Sequence, residues 1–278
     1  MRRSGVPELP EVEEVRRELT PAMEGWRFER VVLRRKNLRR PFPRRFAARL
    51  AGQTVRELRR RGKYLLAELS SNESLVMHLG MSGWFRVERD GGAGAAAGAH
   101  DHVVFHMSSG AAVIFNDPRR FGVMDLVAPG RMGQQRALRA MGPEPLDPAF
   151  DGAALARACA GKRTSLKAAL LDQRVVAGLG NIYASEALHV AGLSPRRRAS
   201  TIATPSGRPK ESALRLARAI KDVLRRAIGR SAKRPTRGSR FQVYDREGER
   251  CTTADCEGTI RRVWQSGRST FYCADCQR

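Results

Sequence analysis

The sequence predicts an α+β protein with a strand-rich N-terminal part, a helical part and a short tail of strands. Residues 30–125 carry runs rich in β-branched, aromatic and leucine residues, and turn residues separate these runs. Residues 153–230 instead repeat apolar residues at helical spacing. Four of the five cysteines lie in the last 28 residues, among short strand-like runs. The three parts therefore differ in both periodicity and composition.

The N-terminal part begins with a predicted helix at about residues 10–20 and continues as strands. The runs "VVFHM" and "AAVIF", joined by "SSG", predict a hairpin. The segment "RDGGAGAAAGAH" (89–100) predicts a low-complexity loop, and the three prolines of "MGPEPLDPAFDG" (141–152) predict a linker. We therefore expect a first domain at 1–140, a helical domain at 153–240 and a C-terminal module at 241–278.

The composition is strongly basic. The chain has 52 Lys and Arg residues against 28 Asp and Glu residues, which gives a formal net charge of +24. The basic runs are spread along the chain, at 34–45, 56–63, 195–200 and 233–240. Basic residues in several segments of a folded protein favour a surface that binds a polyanion, and above all nucleic acid. The alternative is a solvated surface in a basic proteome.

The sequence contains no segment that predicts membrane insertion or export. No apolar run approaches the ~20 residues that span a bilayer, and the N-terminus has arginines without the apolar core of a signal peptide. We therefore expect a cytoplasmic protein with reduced cysteines. Cys159, in "ALARACAGK", is expected to be a buried free thiol on a helix.

The C-terminal cysteines have the spacing of a zinc site, Cys251-x4-Cys256-x16-Cys273-x2-Cys276. Two close pairs, separated by the strand–turn–strand pattern of "TIRRVWQSGRSTFY", predict one structural Zn²⁺ held by four thiolates. The tail is too small to bury a core, so the metal would supply its folding free energy. The turn between the strands would project Arg268 toward phosphate, unless Arg268 is an ordinary surface arginine.

Residues 164–195 predict a helix, an irregular turn and a second helix. Gly178 and Gly180 allow close backbone approach before the second helix, and Asn181 can cap it. Backbone amides at a helix N-terminus bind phosphate readily. Beside Lys162, Arg163 and Lys167, this turn becomes a plausible clamp for a nucleic-acid backbone, although such a turn is often only a helix cap.

Six stretches stand in order along the chain: "PELPEVE", "RRGKYLLAEL", "HLGMSG", "NDPRRFG", "GLGNIYASE" and "STFYCADCQR". Together they resemble the motifs of formamidopyrimidine-DNA glycosylases, the bacterial enzymes that remove oxidised purines from DNA. The resemblance covers nearly the whole chain from Pro7 onward. It implies an N-terminal β-sandwich domain with flanking helices, a helix–two-turn–helix domain and a C-terminal four-cysteine zinc-finger hairpin.

The resemblance implies four catalytic residues. Pro7 matches the N-terminal proline that attacks the anomeric carbon of the flipped nucleotide, and Glu8 matches the acid/base that assists sugar-ring opening. Lys63 matches the proton donor of β-elimination, and Arg268 matches the arginine of the δ-elimination step. From the local sequence alone, Pro7-Glu8 is more typical of a simple helix start, and Lys63 has the alternative of a solvated strand residue.

The resemblance also implies a set of DNA-contacting residues. Met81, Arg119 and Phe121 match the wedge that fills the space left by an extruded base. The phosphate-contacting positions match His100, Arg119, Lys162 and Asn181. Met81 and Phe121 are otherwise candidates for the core, and His100 for an ordinary loop histidine.

The chain departs from the family pattern at its start. The family proline directly follows the initiator methionine, whereas "MRRSGV" precedes Pro7 here. If these residues persist, the Pro7 nitrogen is an amide with a delocalised lone pair, and no Schiff base can form. We expect Val6 to be the true start, a GTG codon read as methionine, so that the mature chain begins at Pro7.

A second departure lies at 229–243. The family usually has a glycine-rich loop there that folds over the lesion base, whereas this chain has the shorter, basic "GRSAKRPTRGSRFQV". Recognition of 8-oxoguanine is therefore less secure than the lyase chemistry.

These features predict a monomeric, bifunctional DNA glycosylase/AP lyase of base excision repair. It would act on double-stranded DNA that contains formamidopyrimidines or 8-oxoguanine, in association with the bacterial nucleoid. One alternative is a relative that prefers oxidised pyrimidines or abasic sites. Another is a catalytically silent DNA-binding protein with an internal Pro7, and a third is an RNA-binding zinc protein.

Overall fold

The computed structural model describes residues 6–89, 98–230 and 241–278. The chain divides into two compact units, Met1–Arg139 and Ala140–Arg278. Part of the predicted loop 89–100 and most of the divergent segment 229–243 lie outside the described residues, as do residues 1–5.

The first unit contains two four-stranded antiparallel sheets, with strand orders β1-β6-β7-β5 and β2-β3-β4-β8. The strands are β1 (Phe28–Leu33), β2 (Val55–Arg61), β3 (Tyr64–Leu69), β4 (Ser74–His78), β5 (Trp84–Glu88), β6 (Asp101–Met107), β7 (Ala112–Asn116) and β8 (Val123–Val127). The helices are α1 (Leu9–Met23), α2 (Phe46–Leu50) and α3 (Arg136–Arg139), with a 3-10 turn at Met132–Gln134. The predicted hairpin is confirmed, since β6 pairs directly with β7.

One apolar core joins α1 to strands of both sheets. Val12, Val15 and Leu19 lie on one face of α1 and are almost completely buried with Phe28 and Phe105, whose rings meet edge to face at 5.3 Å. Strands β4, β6 and β7 are buried along almost their whole length. Because successive side chains point to opposite faces, every second residue enters this core and the others lie in smaller apolar clusters on the opposite faces. The arrangement is that of a β-sandwich with flanking helices.

The second unit is helical in its first part. Its helices are α4 (Gly152–Cys159), α5 (Leu166–Leu171), α6 (Asn181–Val190) and α7 (Glu211–Arg230), with a 3-10 turn at Ala199–Ile202. Asp151 caps the start of α4, and its carboxylate accepts a hydrogen bond from the Ala154 N–H at 2.7 Å. Cys159 ends α4 fully buried, as the sequence predicts, and burial raises the pKa of its thiol to about 11, which keeps the thiol unreactive.

The second unit ends in an antiparallel hairpin of β9 (Ile260–Gln265) and β10 (Arg268–Cys273). Ser266 and Gly267 join the strands with φ angles of 50° and 71°. Two consecutive residues with positive φ form the type I′ turn that suits the twist of a two-residue hairpin. The hairpin places Arg268 beside its tip, as the sequence predicts.

These elements confirm the predicted α+β class. Residues 141–151 contain no helix or strand, and the chain divides close to them, after Arg139. The three domain boundaries given above stay predictions. In the described part of the chain, no helix has the length and apolar character to cross a membrane.

Candidate functional site

Pro7 and Glu8 lie immediately before α1. Glu8 is only 2% exposed and forms a capping box with Glu11: the Glu8 carboxylate accepts from the Glu11 backbone N–H, and Glu11 Oε2 accepts from the Glu8 N–H at 3.0 Å. Such a box satisfies two backbone donors that the helix itself leaves without partners. The helix therefore fixes the backbone of Glu8. It thereby also orients the half-buried Pro7, which is bonded to Glu8.

A network of charges links α1 to the turn that carries Lys63. Glu13 of α1 accepts from Arg16 at 2.9 Å and from Arg60 of β2 at 3.3 Å. Arg60 also donates to the Gly62 carbonyl at 3.0 Å, and Gly62-Lys63 forms the tight turn between β2 and β3. Burial alone would raise the pKa of Glu13, but the neighbouring guanidinium groups hold that pKa below its usual value. Glu13 is therefore ionised at neutral pH and keeps this link intact.

His78 lies at the end of β4, close enough to Lys63 to feel its charge. Its Nδ1 accepts from the Gly80 N–H at 3.0 Å, and its ring lies 4.6 Å from that of Tyr64. Burial, followed by the positive charges of Lys63 and Arg39, lowers the pKa of His78 to about 4. His78 is consequently neutral at pH 7 and adds no positive charge beside Lys63.

Acidification is expected to destabilise the protein in part through His78. The pKa is about 4 in the folded chain against 6.5 in the unfolded chain, so the unfolded state binds the proton more tightly. The stabilising contribution is complete above pH 6.5 and is lost as the pH falls toward 4. Between pH 7.5 and 5 the loss amounts to about 2 kcal/mol. Urea unfolding at both pH values should show a smaller pH-dependent loss in His78→Gln than in the wild type; equal losses would contradict the shift.

The structure brings Met81, Arg119 and Phe121 together on the surface of the first unit. Met81 and Phe121 are 40% and 36% exposed, and the Arg119 guanidinium lies 4.7 Å from the centre of the Phe121 ring. Gly80 makes this approach possible, because a Cβ at Gly80 would lie 2.4 Å from the Phe121 backbone carbon. Large apolar side chains left exposed as a group indicate an interaction site. We call Met81, Arg119 and Phe121 the wedge cluster.

Asp117 holds the wedge cluster in place from within. It is fully buried, and its two carboxylate oxygens accept from the Ser82 hydroxyl at 2.5 Å and from the Gly122 N–H at 2.7 Å. Ser82 Oγ in turn accepts from the Arg119 N–H at 3.1 Å. The Asp117 N–H donates to the carbonyl of the exposed His100 at 3.0 Å. One buried carboxylate thus fixes both segments of the cluster, with His100 adjacent to it.

Arg39 is a residue of this surface that the sequence analysis did not single out. Its guanidinium lies 6.0 Å from the centre of the Phe121 ring. The backbone N–H of Arg39 donates to the Gly122 carbonyl at 3.1 Å. The only signal in the sequence is its place in the basic run 34–45, which holds several other arginines. Its exposed charge extends the positive surface beside the wedge cluster.

In the second unit, Asn181 is not the helix cap that the sequence predicts. Gly180 occupies the cap position of α6, and Asn181 is the first residue of the helix. The Asn181 Nδ2 donates to the Ser269 carbonyl of the hairpin at 2.9 Å, which explains why its side chain does not turn back to cap the helix. None of the described residues donates a hydrogen bond to its buried Oδ1.

Lys162 and Lys167 have very different environments. Lys162 is half-buried in the turn after α4, and its charge acts on Cys159 and Asp172. Lys167 is 1% exposed, and its Nζ donates to the Ser269 carbonyl at 3.0 Å and to Thr270 Oγ1 at 2.8 Å. A clamp on a nucleic-acid backbone needs exposed cations, so the structure does not support that expectation for Lys167. Arg268, one residue before this anchor, is exposed.

Cys251, Cys256, Cys273 and Cys276 converge, with their Sγ atoms within 4.8 Å of one another. The Sγ atoms of Cys251 and Cys276 are 3.7 Å apart, as are those of Cys256 and Cys273. A tetrahedron of thiolates around one ion at about 2.3 Å has edges of about 3.8 Å. The four cysteines therefore fit a metal ion in a closed, four-coordinate site.

Glu186 is a buried residue of α6 whose role the sequence did not reveal, although it ends the "GLGNIYASE" motif. Its carboxylate accepts from three successive backbone N–H groups, those of Gln242, Val243 and Tyr244, at 2.8–3.0 Å. A carboxylate with three such donors is well satisfied despite its burial. It fixes the chain where the "FQVY" segment returns to the helices.

Two family models match the chain in succession. The N-terminal domain of formamidopyrimidine-DNA glycosylase matches residues 6–124, and the H2TH domain of formamidopyrimidine-DNA glycosylase matches residues 141–237. The first match thus includes Pro7, Lys63 and the wedge cluster, and the second includes α4 to α7.

The chain is also similar to individual relatives over nearly its whole length. It is 57% identical to the formamidopyrimidine-DNA glycosylase of Rhodopseudomonas palustris strain HaA2, with 98% of this chain and 100% of the relative covered. A Lactococcus lactis formamidopyrimidine-DNA glycosylase bound to DNA with an AP site is 30% identical, with a TM-score of 0.82 and coverage of 98% and 99%. A MutM complex with DNA containing carbocyclic 8-oxo-G has 30% identity, a TM-score of 0.86 and coverage of 98% and 100%. The chain therefore belongs to the formamidopyrimidine-DNA glycosylase family.

Proposed function

We propose that this chain is a bifunctional DNA glycosylase/AP lyase that excises oxidised purines from double-stranded DNA. The observation that carries the proposal is the placement of Pro7-Glu8 at the capped start of α1, which Glu13 and Arg60 link to the turn that holds Lys63. Membership of the glycosylase family supports it. The bacterial relatives support action on the chromosome in the bacterial cytoplasm.

The proposed chemistry begins at the Pro7 nitrogen. As a free secondary amine, it attacks the anomeric carbon, the bond from that carbon to the damaged base breaks, and the base leaves. Glu8 supplies a proton to the ring oxygen as the sugar opens, and the adduct becomes an iminium cation. This cation accepts the electrons released when a proton leaves the adjacent carbon. That electron flow drives β-elimination of the 3′ phosphate, with Lys63 as proton donor, and Arg268 serves the δ-elimination that follows.

The wedge cluster serves the extrusion of the damaged nucleotide in this proposal. Unstacking a base costs a few kcal/mol, and inserted apolar side chains offset that cost. Met81 and Phe121 offer exposed apolar surface, and Arg119 adds a charge above the Phe121 ring. We propose that His100, Lys162 and Asn181 contact phosphates. Asn181 would do so through the hydrogen-bonding capacity that its bond to the Ser269 carbonyl leaves available.

We propose Zn²⁺ as the metal of the four-cysteine site. Four thiolates with the observed spacing suit Zn²⁺, and they leave no coordination position for substrate or water. The ion would therefore be structural: when bound, it would tie the two cysteine pairs together and stabilise the hairpin that carries Arg268.

A different lesion preference is the alternative to the proposed action on oxidised purines. The alignment with the Rhodopseudomonas relative spans 294 positions, more than the 278 residues of this chain, so the relative contains at least 16 residues that this chain lacks. A shortened lesion-binding loop would shift the preference from 8-oxoguanine toward ring-opened purines, oxidised pyrimidines or abasic sites. The proposed lyase chemistry does not depend on that loop.

Duplexes with a single lesion test both the reaction and its substrate. The lesions are formamidopyrimidine, 8-oxoguanine, an oxidised pyrimidine and an abasic site, with and without borohydride. We expect excision, strand cleavage and a trapped adduct, with the fastest rate on an oxidised purine. Adducts on abasic DNA alone would identify an AP lyase. Binding without an adduct, from both the full chain and the chain that begins at Pro7, would identify a silent DNA-binding protein.

Gly80→Ala is expected to abolish base excision by separating the segments of the wedge cluster. Gly110→Ala is a matched control, because both glycines have positive φ angles of 69° and 80°, but nothing lies within 4 Å of a Cβ at Gly110. Each substitution incurs about 1–2 kcal/mol of backbone strain, and only Gly80→Ala forces the Phe121 backbone to move. Single-turnover excision measures the effect, and equal rates in the two variants would contradict the role of this close approach.

A further inference from the structure

Two side chains from different helices hold one backbone carbonyl of the hairpin. The Ser269 carbonyl accepts from Lys167 Nζ at 3.0 Å and from Asn181 Nδ2 at 2.9 Å. Lys167 also donates to Thr270 Oγ1 at 2.8 Å, and Thr270 is fully buried. Strand β10 is therefore anchored to α5 and α6 at the two residues that directly follow Arg268.

The chemistry of Lys167 indicates that this anchor has a purpose beyond packing. A lysine ammonium that is 99% buried incurs a large desolvation cost, and hydrogen bonds must offset it. An apolar side chain would fill the same space at a lower cost in stability. The ammonium instead provides a charge-assisted hydrogen bond to a specific carbonyl, which fixes position more strongly than apolar contact does.

We propose that Lys167 is a positioning residue for Arg268. The turn Ser266-Gly267 has only two residues, so the backbone of Arg268 is held on one side by the β9 pairing and on the other by the Ser269 anchor. The exposed guanidinium then extends from a fixed base. This proposal rests on the proposed function, since it assigns to Lys167 the placement of the arginine of δ-elimination.

Lys167→Met tests the proposal, because methionine fills the cavity without donating a hydrogen bond. The readout is the ratio of δ- to β-elimination products from abasic DNA. It is measured with the chain that begins at Pro7 and extends to residue 278. We expect this ratio to fall about tenfold, as loss of a charge-assisted hydrogen bond allows, while borohydride trapping and metal content stay at wild-type levels. Lys221→Met is the control, because Lys221 also donates to a backbone carbonyl, that of Asp147 at 3.0 Å.

The variant Arg268→Ala completes the experiment. If Lys167 acts through Arg268, Lys167→Met should lower the product ratio in the wild type and leave it unchanged when Arg268 is already alanine. A wild-type ratio in Lys167→Met, or an equal effect with and without Arg268, would overturn the proposal. A parallel loss of metal and adduct would also overturn it, since Lys167 would then only support folding. Failure of the wild type itself to form adducts would instead refute the proposed function.

Discussion

A chain that begins at Pro7 is expected to be trapped on abasic DNA by borohydride, whereas the full 278-residue chain is expected to give only background. In the full chain the Pro7 nitrogen is bonded to the Val6 carbonyl, and amide resonance removes the lone pair that the attack requires. In the shorter chain the nitrogen is an α-amine, whose pKa of about 7.7–8.0 leaves a neutral fraction at physiological pH. One peptide bond therefore separates full activity from none.

The experiment compares two proteins that differ only by one residue before Pro7. One is expressed from a start codon placed at position 6, so that methionine removal exposes Pro7, and the other carries one extra glycine before Pro7. Intact mass verifies each N-terminus before the assay. Both should bind abasic DNA with similar affinity, because a single residue changes none of the basic surface. A trapped adduct from the chain whose mass includes the extra glycine would contradict Pro7 as the nucleophile.

The relatives give this prediction its background. The Rhodopseudomonas enzyme is matched over 100% of its length by 98% of this chain, and the family model begins at residue 6. The family model therefore includes Pro7 and none of residues 1–5. N-terminal analysis of protein from the native host would establish which form the cell makes.

Much of the framework could be predicted from the sequence because it rests on local patterns. The spacing of Cys251, Cys256, Cys273 and Cys276 predicts their convergence, and the hairpin of β9 and β10 follows from a strand–turn–strand pattern. The wedge cluster could be predicted only through the resemblance, because Met81 and Phe121 lie 40 positions apart. Their meeting depends on Gly80 and on the buried Asp117, whose contacts span both segments.

The residues that the sequence misassigned have partners distant in the chain. Lys167 was expected on the surface, since a lysine beside other cations usually is. Its partners Ser269 and Thr270 lie more than 100 positions away, and no local pattern indicates them. The expectation that Asn181 caps α6 rests on a local rule for helix starts. Such a rule cannot anticipate that the hairpin supplies a carbonyl for the Asn181 side chain.

Cys273→Ser is expected to remove the bound metal and unfold the hairpin, with loss of δ-elimination. Cys273 is fully buried, and its Sγ lies 3.7 Å from that of Cys256, so serine leaves three thiolates and a hydroxyl that cannot replace the fourth. Structural zinc sites contribute about 10–16 kcal/mol of apparent binding free energy at neutral pH. The apolar cluster around Val243, Ile260 and Phe271 is too small to offset such a loss. Metal content per chain and thermal unfolding measure the effect.

Cys159→Ser is the matched control, because Cys159 is equally buried and lies in the same unit, outside the four-cysteine cluster. Both substitutions place a hydroxyl where a buried sulfur was, and each incurs the cost of burying that group, about 1–3 kcal/mol. Only Cys273→Ser should also lose the metal and the anchored base of Arg268. If Cys159→Ser released as much metal as Cys273→Ser, general destabilisation rather than lost coordination would explain both. One metal ion per chain retained in Cys273→Ser would exclude a four-thiolate site and with it the proposed origin of the hairpin's stability.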